Sequence, residues 1–166
     1  MALNYPVGDP IEEGLELEKI EPHSFLAKLF VPNFSGYVVI TLEGYSGIEE
    51  GVLFFQEGTG VGAAFSYDSF DTAVFGDTAL NSFFNGLAAK KGVADVFKLS
   101  KQQVDLILAL DERTAIRTPL VQDMVSKKIR NQYNASFAQA AVRGLDTVVT
   151  HSSDLLKKIG LGEMAK

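Results

Sequence analysis

Three runs of β-branched and aromatic residues, separated by glycine-containing turns, constrain the fold of this chain more than any other feature. The runs cover residues 37–42, 51–56 and 61–67. Residues of these types pack well on a pleated surface and are enriched in strands. The stretch at 57–60 is short and contains two glycines, which is typical of a tight hairpin. The pattern therefore predicts consecutive antiparallel strands at the centre of the fold.

Shorter stretches extend this sheet. Residues 72–75 predict a fourth strand or an extension of the third, and residues 93–99 predict another strand. Residues 1–22 are acidic and carry three of the five prolines. We interpret them as an extended acidic N-terminal segment, with a short edge strand at 14–20 as an option because apolar and charged residues roughly alternate there.

Helices are predicted between and after the strands. An apolar face indicates a short helix at 23–31, and Asp77 is a candidate N-cap for a helix at 78–91. Ser100 and Gln103 have the spacing of a capping box, which predicts a helix from there to about residue 116. The pair Thr118–Pro119 then predicts the start of another helix, since proline is favoured in a first helical turn.

The last third of the chain carries a long apolar stripe. A continuous helix over residues 119–149 would span roughly 45 Å, which is more than a domain of this size needs. Either the helix breaks near residues 131–134 and folds back, or part of its stripe projects from the fold. In the projecting case a groove-filling face forms at helical spacing, and it consists of Ile129, Tyr133 and Phe137, flanked by the basic residues Lys127, Lys128 and Arg130.

These elements predict an α+β fold: an antiparallel sheet of three to five strands with packed helices and a helical C-terminal region. We divide the chain into the extended acidic N-terminal segment at 1–22, an α+β core domain at 23–116, and a helical C-terminal extension and tail at 117–166. The core is expected to be one cluster drawn from the most apolar positions of each element, namely Val39, Leu53, Phe55, Phe65, Phe84 and Ile107.

Charge is distributed unevenly along the chain. Residues 1–85 carry 13 acidic and 2 basic side chains, whereas residues 86–166 carry 8 acidic and 13 basic ones. The two halves therefore pair with each other within one fold or a dimer, or they bind different partners. Nucleic-acid binding is not expected, because the basic half is only mildly basic and an acidic half lies beside it.

Composition excludes several kinds of site. The chain has no cysteine, so a disulfide framework, a thiolate metal site and a cysteine nucleophile are excluded. No run approaches the ~18 consecutive apolar residues of a membrane helix, and the N-terminus lacks the pattern of a secretory signal. We therefore expect a cytoplasmic protein without a membrane span.

A glycine motif offers the sharpest alternative interpretation. Gly58, Gly60 and Ala63 match the spacing G-x-G-x-x-A after a strand, and Asp77 lies where a ribose-binding acid would be expected. A dinucleotide site also needs a helix directly after the glycines, because its N-terminus holds the pyrophosphate. Residues 61–67 have no helical period, which favours a hairpin over a nucleotide-binding loop.

No other pattern indicates catalysis, a metal or a cofactor. His23 and His151 are far apart in sequence, so they do not have the spacing of a metal ligand pair. Each lies near a predicted helix start, at 23–31 for His23 and at a final short helix of about 153–159 for His151. Glu49 and Glu50 could hold a divalent cation, but they lack the spacing of a calcium loop, and we interpret them as part of a solvated turn. We expect no catalytic residues and no cofactor.

The middle of the chain resembles a PATAN-type domain. The resemblance is carried by residues 25–30, 35–40, 51–58 and 61–63, with residues 94–99 as the closing strand. The sequence is also similar to an uncharacterised archaeal family that shares the glycine-punctuated segment 51–63 and a D-L-L-K-K-x-G-L tail, seen here at 154–161. The chain departs from the PATAN pattern in its helical region at 101–150 and in the residues before the first helix.

This resemblance implies a signalling or adaptor module that binds proteins and has no known catalysis. The expected function is therefore that of a non-catalytic interaction module: an adaptor, a regulator or an accessory subunit of a larger complex. Its partner would be a protein, such as a larger enzyme or a signalling complex, with a homodimer as the alternative. The rival hypothesis is a nucleotide- or small-ligand-binding protein that uses the loop at 58–63.

Overall fold

The computed structural model describes residues 3–144. Its strands are β1 (Asp9–Glu16), β2 (Gly36–Glu43), β3 (Ile48–Gln56), β4 (Thr59–Tyr67), β5 (Thr72–Phe75), β6 (Gly92–Lys98) and β7 (Ala115–Leu120). Its helices are α1 (Pro22–Ala27), α2 (Gly76–Leu87), α3 (Lys101–Leu110) and α4 (Gln122–Lys128), followed by a C-terminal helical stretch over residues 136–144.

The seven strands form one antiparallel sheet in the order β1-β6-β2-β3-β4-β5, and β7 also pairs with β4. The predicted meander of β2, β3 and β4 is confirmed, and it forms the middle of the sheet. A turn at Glu57 and Gly58 joins β3 to β4, and both residues have positive φ angles. Two central residues of this kind match the right-handed twist of a hairpin.

The sheet is larger than the predicted three to five strands, because β1 and β7 were not recognised with these bounds. Both are edge strands, and proteins protect sheet edges with charged residues and proline. Half of the residues of β1 are acidic, and β7 contains Pro119. The predicted helix start at Thr118–Pro119 is therefore wrong, since a proline is also tolerated at the edge of a sheet.

Strands β1 and β7 join the segments before and after the predicted core domain at 23–116 to the central sheet. β1 lies inside the segment at 1–22 and pairs with β6, so that segment is extended but is part of the sheet. β7 spans the boundary at 116/117 and pairs with β4 at Gly60 and Gly62. A Cβ atom at Gly60 would lie 2.8 Å from Cβ of Leu120, so glycine allows β7 to approach β4 this closely.

Both faces of the sheet are covered. The larger core cluster combines one face with α1, α2 and α4, and the smaller cluster combines the opposite face with α3. Adjacent residues of a strand point to opposite faces, so Phe54 and Phe55 are both fully buried, one in each cluster.

The expected single core is wrong in two places. Leu53, Phe55, Phe65 and Phe84 do lie in the larger cluster. Ile107 is buried in the smaller cluster instead, and Val39 is only partly buried against it. The error has a geometric cause, since Val39 alternates with Val38 and Ile40 and therefore faces the α3 side.

Helix ends follow the predicted signals in one case and not in another. The capping box is present: the Ser100 hydroxyl accepts from the Gln103 backbone N–H at 3.1 Å, and the Gln103 side chain accepts from the Ser100 N–H at 2.8 Å. Asp77 is not an N-cap, because α2 already begins at Gly76. The Asp77 carboxylate instead accepts a hydrogen bond from the backbone N–H of Arg117 in β7.

Of the two alternatives for residues 119–149, the break with two helices is the one found. α4 ends at Lys128, residues 129–135 are irregular, and helix resumes at residue 136. We call residues 129–135 the strap. Residues 145–166 lie outside the described part of the chain, together with His151 and the tail predicted there. Within residues 3–144, no helix is both long and apolar enough to cross a membrane.

Candidate functional site

The strap connects α4 to the C-terminal helical stretch, and it contains or adjoins all residues predicted to bind a partner. Ile129 and Tyr133 are half-buried and pack against the larger core cluster. Because the strap is not helical, Ile129, Tyr133 and Phe137 do not form the expected i, i+4, i+8 face. The alternative in which part of the stripe projects as a helix is therefore wrong, and the alternative of a break with a fold back onto the domain is confirmed.

The basic residues of this region lie on its surface. Lys127 and Arg130 are exposed and Lys128 is half-exposed. The Arg130 guanidinium lies 4.6 Å from the ring centroid of Phe137, which is a cation–π distance. The ion pairs formed within residues 3–144 include none with Lys127, Lys128 or Arg130. These three charges are therefore available to an external acidic group.

Besides an open groove of ≈ 640 Å³ that the strap alone lines, two grooves lie between the strap and its neighbours. One has a volume of ≈ 660 Å³ and lies between the strap, the residues before α1 and the end of α2. The other has a volume of ≈ 310 Å³, and Lys127, Lys128, Arg130, Asn81 and Phe84 line it. Basic side chains thus border concave surface as well as open solvent.

A buried carboxylate lies directly beneath the strap. Glu49 is only 3% exposed, and its side chain accepts a 2.6 Å hydrogen bond from the Tyr133 hydroxyl. The backbone N–H of Tyr45 donates both to Glu49 at 3.1 Å and to the Tyr133 hydroxyl at 2.9 Å. The second carboxylate oxygen, Oε2, is buried without a hydrogen-bond partner in the described chain. The interpretation of Glu49 as part of a solvated turn is therefore wrong, because it is the second residue of β3.

Burial changes the acid–base properties of this group. Desolvation raises the pKa of Glu49, although hydrogen bonds from Tyr133 and Tyr45 partly oppose it. Desolvation and the nearby carboxylate also raise the pKa of Tyr133. Tyr67 is the cross-strand neighbour of Glu49, and burial raises its pKa to about 12. Both tyrosines are therefore neutral at physiological pH.

A second polar contact holds the strap next to Tyr133. The Asn85 side chain in α2 accepts from the Asn134 backbone N–H at 2.8 Å and donates to the Asn134 carbonyl at 3.0 Å. Asn85 is 1% exposed. The strap is thus fixed to β3 through Tyr133 and to α2 through Asn134.

The glycine motif has a structural role here. Gly58 is in the hairpin turn, and Gly60 and Ala63 are in β4, which pairs with β3 along its length. No helix begins after these glycines, so the N–H groups that hold a pyrophosphate in a dinucleotide site are not arranged here. Asp77 is engaged by Arg117. The hairpin interpretation is confirmed.

One surface was missed by the sequence analysis. Leu106 and Leu110, one turn apart on α3, are 57% and 79% exposed. They border an apolar groove of ≈ 280 Å³ that Tyr5 and Phe75 also line. At this groove the Arg113 guanidinium donates two hydrogen bonds to the Asp111 carboxylate, so the charges of these two residues offset each other. The i, i+4 spacing of the two leucines was the available signal of an apolar helix face, but the same spacing is equally typical of a buried face.

Residues 3–144 contain no group of three or more histidine, aspartate or glutamate side chains placed to hold a metal ion. His23 lies in the first turn of α1, where its backbone N–H donates to the capping carboxylate of Glu21.

Comparison with known proteins gives one match. A family model described as "Uncharacterized protein conserved in archaea (DUF2226)" matches residues 3–111. This range covers β1 to the end of α3 and includes the glycine-punctuated hairpin, so it supports the resemblance to an archaeal family. No curated protein and no solved structure matches the chain.

Proposed function

The chain belongs to this family of uncharacterised proteins conserved in archaea, and we propose that it is a non-catalytic protein-interaction module. It would act as an adaptor, a regulator or an accessory subunit of a larger complex. The adaptor role is what the resemblance to PATAN-type domains implies, and the family match does not extend to that resemblance. The observation that carries the proposal is the cluster of Lys127, Lys128 and Arg130, which have no ion-pair partner within residues 3–144.

The chemistry of this cluster favours an acidic protein as the partner. Three positive charges lie within four residues at the end of α4, and one groove borders all three of them. A second groove borders Arg130, where Glu18 and Glu21 also line it. Complementary charges accelerate encounter and fix the orientation of a partner, while apolar contacts supply much of the affinity. Ile129 and Phe137 are half-buried beside the charges and can supply apolar contact at the same surface.

A charge-reversal experiment tests the proposal in the full-length chain. Tagged wild type, Lys127→Glu/Lys128→Glu and Lys98→Glu/Lys101→Glu proteins are used to capture partners from the native host, followed by mass spectrometry. The control has the same change in net charge on exposed residues of β6 and α3. We expect a partner with an acidic surface that the control retains and the first variant loses. Equal recovery by all three proteins would contradict the proposed surface.

The leucine pair on α3 is a second candidate surface for the same class of function. Exposed apolar residues beside an apolar groove are typical of interaction sites, and the paired charges at Arg113 and Asp111 favour an uncharged side chain there. The variant Leu106→Ser/Leu110→Ser distinguishes the two surfaces in the same capture experiment. Loss of the partner in this variant alone would move the binding site to α3.

A homodimer is the remaining alternative, since the acidic residues of β1 could face the basic cluster of a second copy. Light scattering of the purified protein at low and high salt measures this directly. A dimer that the Lys127→Glu/Lys128→Glu variant dissociates would identify a second copy as the acidic partner. A monomer at all salt concentrations would leave the surface to a different protein.

A further inference from the structure

Glu49 is the most unusual ionisable group in the described structure, because it is buried without a cation. No Lys, Arg or His forms an ion pair with it within residues 3–144. Its charge is stabilised by the Tyr133 hydroxyl and the Tyr45 N–H, while Oε2 has no partner in that part of the chain. Burying a charge with so few partners is unfavourable, so this arrangement is not explained by stability of the sheet alone.

The strap is held to the rest of the domain by few polar contacts. Tyr133 makes the polar contacts to the sheet, and Asn134 makes those to α2. Asn131 and Gln132, which lie between α4 and these two residues, are exposed. The Asn134 contact joins neutral groups. The Tyr133 contact alone depends on an ionisable side chain.

We propose that Glu49 and Tyr133 form a releasable latch that holds the strap closed over β3, and that ionisation of Glu49 loosens it. This inference rests on the proposed function in one respect: release of the strap would free Ile129 and Tyr133, which pack against the larger core cluster, for an incoming partner that first meets the basic cluster. The closed form is the one in which these residues pack against the domain, and the open form is the one competent to bind.

The direction of the effect follows from linkage between ionisation and opening. Opening admits water to Glu49, which restores the pKa of its carboxyl toward the ordinary glutamate value of 4.5. In the closed form the pKa is raised, so closure is favoured while the carboxyl is protonated. This stabilisation of the closed form is fully present at a pH below the ordinary glutamate pKa. It is lost as the pH rises through the raised pKa that Glu49 has in the closed form. The latch is therefore tighter in acid and looser near neutral pH.

The groups that face Glu49 keep this response simple. The titratable groups that interact with the Glu49 carboxyl are Tyr133 from the strap and Tyr67 from β4. Burial raises the pKa of both. The β2–β3 turn contributes only the backbone N–H of Tyr45. Glu49 is therefore the group among them that ionises first as the pH rises above the ordinary glutamate range, because burial raises the pKa of its carboxyl.

Hydrogen–deuterium exchange of the full chain, read by mass spectrometry, tests the latch. Exchange in peptides covering the strap is compared for wild type, Glu49→Gln, Tyr133→Phe and the matched control Glu50→Gln at about pH 4.5 and about pH 7.5, after correction for the intrinsic rates. Glu50 is the adjacent carboxylate on the opposite face of β3, and burial raises its pKa as well.

We expect strap exchange in wild type and Glu50→Gln to be faster at the higher pH. Glu49→Gln keeps an acceptor for the Tyr133 hydroxyl but removes the charge, so its strap should exchange more slowly near neutral pH and lose the pH dependence. Tyr133→Phe removes a hydrogen bond to a charged group and should accelerate strap exchange roughly tenfold near neutral pH. These changes should be confined to the strap and its neighbours, with β2, β3 and β4 unaffected.

Two results would overturn the latch. One is strap exchange in Glu49→Gln that equals that of wild type at both pH values. The other is a change in Tyr133→Phe that spreads evenly over the sheet, since it would make the contact part of global stability. Neither result depends on a partner, so the latch can fail while the Lys127→Glu/Lys128→Glu capture experiment still succeeds, and the reverse also holds.

Discussion

Asn85 and Asn134, 49 residues apart, exchange two hydrogen bonds between the α2 side chain and the strap backbone. The Asn85 side chain thereby pairs with the backbone N–H and the backbone carbonyl of Asn134. The strap is irregular there, so no strand within residues 3–144 supplies partners for these two groups. Such pairing is needed because buried polar groups without partners are costly. The path of the chain after α4 is therefore determined by a residue in the middle of the fold.

The first prediction concerns this pair. Asn85→Ala leaves the N–H of Asn134 without its partner and leaves its carbonyl only the 3.5 Å hydrogen bond from the Phe137 N–H, so the free energy of unfolding should fall by about 1–3 kcal/mol. Asn81→Ala, an exposed position on the same helix, should change it by less than about 0.5 kcal/mol. Thermal and denaturant unfolding measure both variants. Equal stabilities for the two would show that the strap does not depend on Asn85.

The second prediction concerns the core beneath α2. Phe84 is buried in the larger cluster, so Phe84→Ala should lower the free energy of unfolding by about 3–5 kcal/mol. Leu110→Ala also truncates an apolar helix residue, but that side chain is mostly exposed. Denaturant titration should show a change within about 0.5 kcal/mol for it. A large loss for Leu110→Ala would place α3 in an interface that the single chain does not show.

The third prediction concerns the hairpin turn. Gly58 has φ +78°, and a Cβ atom there would meet the carbonyl oxygen of Val31. Gly14 also has a positive φ, +67°, but open space around it. Gly14→Ala should therefore destabilise by about 1–2 kcal/mol from backbone strain alone. Gly58→Ala adds a steric clash, and its melting temperature should fall further. The reverse order would contradict the close packing of the turn on Val31.

The fourth prediction concerns nucleotides. Because β4 follows the glycines as a strand, titration calorimetry with NAD, ATP or GTP at millimolar concentration should show no heat beyond dilution. The measurement is made on the wild-type chain, since Gly60 packs against Leu120 and larger residues there would disturb the fold. A micromolar isotherm would revive the ligand-binding hypothesis for this loop.

The central meander could be predicted from sequence because its signals are local. β-branched runs define β2, β3 and β4, and the turn at Glu57–Gly58 needs residues that adopt positive φ. The capping box at Ser100 and Gln103 is equally local. These elements therefore appear in the structure close to where the pattern places them.

Elements that depend on distant contacts were missed. β7 pairs only with β4, at glycines more than 50 residues earlier, and its sequence contains a threonine–proline pair that also suits a helix start. The same applies to Glu49. Beside Glu50 and near glycines it reads as a solvated turn, and only Tyr133, 84 residues later, reveals that it is covered.

The candidate surface was predicted in part. The basic residues Lys127 and Arg130 are exposed as expected, since long charged side chains rarely become buried. The apolar residues Ile129 and Tyr133 pack inward instead, because the irregular strap can fold back where a continuous helix could not. Sequence periodicity cannot distinguish these outcomes, since both bury part of the same stripe.

The fifth prediction tests the interaction surface itself. Affinity of the captured partner for purified wild type, Lys127→Glu/Lys128→Glu and Lys98→Glu/Lys101→Glu is measured by titration calorimetry at two salt concentrations. We expect the first variant to bind roughly tenfold more weakly and to lose most of the salt dependence, while the second behaves as wild type. Equal affinity of the partner for all three proteins, with the same salt dependence, would contradict the proposed surface.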